Sequence, residues 1–125
     1  MNSILIAGTI VVVLALIAYS VGVYIEQTKR RINRYVVFFM SLGIFFDVTA
    51  TVLMIAGSTN SPFTFHGFLG YSALILMIIE VVLIISFKIN NSSDTLVPKK
   101  LHKYSLLAYC YWFFVFVTGG LIAAL

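Results

Sequence analysis

Charge is scarce in this chain of 125 residues: Asp, Glu, Lys and Arg make up 10% of it, hydrophobic residues 62%, and the mean hydropathy is +1.09. A soluble domain carries about a quarter charged residues, so these side chains cannot furnish a water-facing surface, and lipid must cover most of them. Cysteine is almost absent. Cys110 stands alone, which excludes an internal disulfide and a CxxC metal site, and it reads as a buried, inert thiol. Several catalytic signatures are missing as well: an HExxH helix, a CxxCH attachment site, a phosphate-binding glycine loop and a Gly-x-Ser-x-Gly elbow. A hydrolytic membrane enzyme therefore finds no support.

What the chain does have is four long apolar stretches, at residues 4–25, 35–57, 67–87 and 104–125. A bilayer core of about 30 Å takes about 20 helical residues to cross. Barrel strands would alternate apolar and polar residues, and runs such as 10–17 do not, so the spans read as helices. The first stretch lacks a basic flank before it and a small-x-small cleavage site, so it reads as a span rather than a secretory signal. All eight basic residues fall in two alternate loops, 26–34 and 88–103, while 58–66 has none. The positive-inside rule places those two loops in the cytoplasm and both termini outside. The expected fold is all-α: one integral membrane domain over 1–125, a four-helix up-down-up-down bundle with short connections. The formal charge of +4 then reflects topology and anionic lipid rather than nucleic-acid binding.

In lipid, polar and small residues mark the inward face of a helix. Met40, Gly43, Asp47, Thr51 and Met54 recur at helical spacing on the second helix, and His66, Gly70, Ala73, Met77 and Glu80 on the third. Gly8, Ala15, Tyr19 and Gly22 form such a stripe on the first; His102, Ser105, Tyr109, Trp112, Phe116, Gly119 and Ala123 do so on the fourth. Plain helix packing accounts for the glycines and alanines.

The acids ask for more. Asp47 and Glu80 are the acids deep inside spans, where an ionised carboxylate costs roughly 2.5–3.5 kcal/mol. No basic residue lies inside a span, so the expectation is a protonated carboxyl hydrogen-bonded to Thr51, Tyr or Ser, serving as a helix clamp or in proton handling. His66 sits at the outer end of the third helix with Gly67 beside it and Gly70 one turn on, leaving backbone that a flat cofactor can approach. Met54 is the nearest second ligand for a haem iron there. His102 opens the fourth helix at the other end, with Met40 near it, so the two histidines cannot share one iron within a subunit. The plain alternative for His102, beside Lys103, is a solvated flank.

At Phe46-Asp47-Val48-Thr49-Ala50-Thr51, His66-Gly67-Phe68-Leu69-Gly70-Tyr71 and His102-Lys103-Tyr104-Ser105 the chain resembles the haem-sensing membrane protein A family of small four-helix bacterial membrane proteins. The resemblance implies a multi-pass protein of the bacterial cell membrane that binds or sequesters haem b and protects against haem and oxidative stress. It supplies no ligand set, so the iron ligands stay those read from the residues: His66, Met54, His102 and Met40. Such a protein is not an enzyme, although a b-type cytochrome passing electrons is a close variant. Two other classes fit the same composition: a small proton-coupled exporter working as a homo-oligomer through Glu80 or Asp47, and a helper subunit of another membrane protein.

Overall fold

The computed structural model describes residues 3–57, 65–91 and 95–124, with the side chains of 65–66 and 120–124 left out. It contains four helices, α1 (Ser3–Lys29), α2 (Arg34–Gly57), α3 (Phe65–Asn90) and α4 (Lys99–Ala124). Among the described residues, α1, α2 and Gly67–Asn90 of α3 are long and apolar enough to cross a membrane. The fourth has the length, 26 residues, but a more polar composition. Lys99, Lys100, His102 and Lys103 crowd its start, and Tyr104, Ser105, Tyr109, Tyr111 and Trp112 follow.

The helices run further into the loops than the apolar stretches suggest. Residues 26–29 continue α1, α3 reaches Asn90, and α4 begins directly after Pro98, a residue that suits a helix start because it has no N–H to leave unpaired. Local chemistry sets the ends. Asn33 Oδ1 accepts the N–H groups of Tyr35 and Val36, both at 3.0 Å, and so caps α2. Arg30 closes α1 in the left-handed region, at φ 50°, with its N–H bonded to Glu26 O at 2.6 Å. That turn also ties the two basic loops together: Val97 N–H donates to Arg30 O at 2.9 Å, and Arg30 Nε returns a bond to Val97 O at 2.8 Å. Both loops therefore lie at one end of the helices.

Each helix packs on its sequence neighbours, and α4 closes the ring on α1. Between α1 and α2 the contact rests on glycines: Gly8 faces Met54, Gly22 faces Met40, and Gly43 receives the ring of Tyr19. The polarity is inverted relative to a soluble bundle. Ile10, Ile17, Phe38, Phe45, Val52, Ile75, Val82 and Phe114 point outward, while Glu26, Asp47, Glu80 and Ser105 are buried. An apolar exterior with the acids turned inward, among an apolar core, is what lipid selects. Cys110 corrects an expectation: it lies on the exposed face of α4, off the buried stripe of Ser105, Ala108, Trp112 and Val115.

Candidate functional site

Three carboxyls, each from a different helix, occupy the interior. Asp47 of α2 accepts two hydrogen bonds on one oxygen, Oδ2, from Tyr19 Oη of α1 and Trp112 Nε1 of α4, both at 2.9 Å. Tyr19 and Trp112 also meet edge to face, with ring centroids 5.0 Å apart. One acid thus joins three helices. Thr51 Oγ1 does not reach the carboxyl; it donates to the backbone O of Asp47 at 2.9 Å, one turn back.

Glu80 of α3 is 0% exposed, and neither of its oxygens has a hydrogen-bond partner. Ser105 Oγ of α4 is also buried and makes no well-formed hydrogen bond, yet it is the hydroxyl close enough to interact with the Glu80 carboxyl. A buried carboxyl left like this is exceptional, because an unpaired polar group in an apolar interior costs roughly 2–7 kcal/mol. Tyr19 and Glu26 of α1 and Tyr104 of α4 lie within electrostatic range of it.

At the basic end, Glu26 of α1 is 1% exposed and places Oε2 2.7 Å from Nδ1 of His102, whose side chain is 29% exposed. Gln27 locks the pair: its Nε2 donates to Glu26 Oε1 at 2.7 Å and to the backbone O of His102 at 3.0 Å. Tyr19 and Glu26 are seven residues apart on α1, about 10 Å along the axis. On α4 the partners follow the same order, Trp112, then Ser105, then His102, so the three acids form a series running from mid-bundle to the basic end.

The other candidate residues divide. Among the described residues an added Cβ at Gly70 meets nothing within 4 Å, while Gly8, Gly22 and Gly43 are tight helix contacts. Gly70→Ala is accordingly expected to leave thermal stability unchanged or slightly raised, since alanine favours a helix by up to about 1 kcal/mol; a clear loss by circular dichroism would show that this face is covered. Met40 is fully buried with its sulfur packed on Gly22, and Met54 is half-buried against Gly8. His66 and Gly67 lie in the first turn of α3, and the side chain of His66 is outside the described residues. Ser72 bonds Tyr111 Oη at 2.7 Å and Leu76 O accepts from Tyr104 Oη at 2.8 Å, so α3 and α4 run in opposite order and His66 and His102 sit at opposite ends. Among the described residues no three His, Cys, Asp or Glu side chains cluster as a metal site would require.

Glu26 is the residue that sequence reasoning misses. Composition places it in a loop, yet it extends the Tyr19 and Gly22 stripe by one further turn, and that spacing is the available signal. No known protein family matches the chain, and neither does a curated protein or a solved structure.

Proposed function

We propose that the chain is a multi-pass protein of a bacterial cytoplasmic membrane that binds and sequesters haem, with four up-down-up-down crossings and both termini outside. The joined loops and the helix ends that flank them, residues 26–34 and 88–103, hold every Lys and Arg of the sequence, which supports a cytoplasmic basic end by the positive-inside rule.

The observation that carries the cofactor is the His102–Glu26 pair. A carboxylate on Nδ1 fixes the tautomer and orientation of an imidazole and makes Nε2 the more basic ligand atom. That is the support a haem-ligating histidine receives. The space that the described residues leave beside Gly70, one turn from His66, suits a flat ligand at the other end of the bundle. Met40 fits less well as a partner of His102, because its sulfur is engaged in packing α1 on α2. When bound, haem supplies an iron centre, and a protein that fills its coordination positions limits peroxide chemistry. Glu26 and Gln27 hold His102 in place, and its side chain, 29% exposed, stays open to an approaching ligand.

Titration of the detergent-purified protein with haem, followed by absorption spectroscopy, tests this. Saturable binding with low-spin bands is expected; His102→Ala should abolish the bands of that site, and Glu26→Gln should weaken its affinity by roughly 10–100-fold. If instead His66→Ala removes the signal and His102→Ala does not, the ligand lies at the outer end. The haem reading fails if the folded protein shows no saturable binding.

A further inference from the structure

Glu80 and Ser105 lie outside every group that the haem proposal uses. Their geometry is specific: a carboxyl with zero exposure and a hydroxyl beside it on the facing helix, neither making a well-formed hydrogen bond. Among the described residues no cation offsets a charge at this position. Lys88, the basic residue on the same helix, is two turns further toward the end of α3, and the neighbours in electrostatic range are Tyr19 and Glu26 of α1 and Tyr104 of α4. The buried acid of α2 is Asp47, whose Oδ2 is taken by Tyr19 and Trp112. An ionised Glu80 would therefore sit in an apolar interior with acids and phenols around it and the Ser105 hydroxyl as its donor, without a cation. The neutral acid needs none of that compensation, and the Ser105 hydroxyl beside it can accept its O–H or donate to its carbonyl oxygen.

We propose that Glu80 and Ser105 form an internal proton-binding site, in which the Glu80 carboxyl takes up and releases a proton within the membrane. From Glu80 the series continues through Glu26 to the basic end of the bundle, which gives the proton a way out. This site is independent of haem, since none of the candidate iron ligands belongs to it.

Dicyclohexylcarbodiimide is the first probe: in apolar surroundings a protonated carboxyl adds its O–H across one C=N bond of the reagent, and the adduct rearranges to a stable N-acylurea. With wild-type protein in phosphatidylcholine vesicles at neutral pH, mass spectrometry should place the adduct on the peptide containing Glu80, and labelling should fall as pH rises. Infrared spectra of the same vesicles should show a protonated-carboxyl C=O band that shifts in D2O and is lost in Glu80→Gln, a variant of nearly the same shape. An infrared spectrum unchanged in Glu80→Gln, or absence of labelling at Glu80, overturns the proposal. A band that never shifts in D2O overturns exchangeability, and protection from labelling by sodium would assign the site to a metal cation instead. Unchanged haem titration of Glu80→Gln is expected and separates this result from the fate of the haem reading.

Discussion

Replacing Asp47 by alanine is expected to cost roughly 2–6 kcal/mol, because it strands two donors, Tyr19 Oη and Trp112 Nε1, in a water-free interior at about 1–3 kcal/mol each. Interhelical hydrogen bonds in lipid average only about 0.6 kcal/mol when both partners can re-pair on unfolding. The larger figure applies because the alanine variant leaves the donors buried and unpaired in the folded state. Asparagine separates charge from hydrogen bonding. Both donors converge on one oxygen, so a carboxamide oxygen in that place keeps both bonds, and Asp47→Asn should cost no more than about 1 kcal/mol. Trp112→Phe removes one donor and keeps most of the ring, for a loss of about 1 kcal/mol beyond packing. Unfolding of detergent-solubilised protein in increasing sodium dodecyl sulfate, followed by circular dichroism, ranks the three. If Asp47→Asn proves as damaging as Asp47→Ala, the negative charge and not the acceptor holds the helices, and the hydrogen-bonded clamp is wrong.

The sequence makes the helices and most of their inner faces legible for a simple reason: with lipid outside, any polar or small residue in a span has to face a neighbour. Met40, Gly43, Asp47, Ala73, Met77 and Glu80 all fall on the buried stripes as the spacing implies. What spacing does not encode is which neighbour each side chain meets. Asp47 finds Tyr19 and Trp112 on two other helices rather than Thr51 on its own, because a hydroxyl one turn away bonds more easily to the backbone carbonyl than to the side chain. Glu26 is hidden by its charged surroundings, where the Lys29 to Arg34 run makes the segment read as loop. His102 is ambiguous until its partner is known. The fourth helix shows the converse: its tyrosines and lysines lower its hydropathy, yet its inner face supplies Trp112, Ser105 and His102 to all three acids.

The second large effect is expected at Gly43, and here the flexibility of the neighbour decides the sign. A Cβ at this position would overlap Cδ1 and Cε1 of the Tyr19 ring and lie 3.1 Å from its Cγ. That ring cannot turn aside. Its hydroxyl is bonded to Asp47 and the ring meets Trp112 at 5.0 Å, so relief requires either separating α1 from α2 or breaking the clamp. Overpacking of this kind costs about 1–3 kcal/mol, and loss of one hydrogen bond adds about 1, giving roughly 2–4 kcal/mol for Gly43→Ala. At Gly22 an added Cβ would lie 2.7 Å from Met40 Sδ and 2.9 Å from Cγ, but a thioether chain can re-rotate, so Gly22→Ala should cost about 1 kcal/mol. The cause is separable from any general aversion to alanine in α2. In a Tyr19→Ala background the obstructing ring is gone, and Gly43→Ala should become nearly neutral, a coupling of roughly 2–4 kcal/mol in the double-mutant cycle. If the two substitutions add instead, Tyr19 does not occupy the notch at Gly43, and the glycine serves some other purpose in the α1–α2 contact.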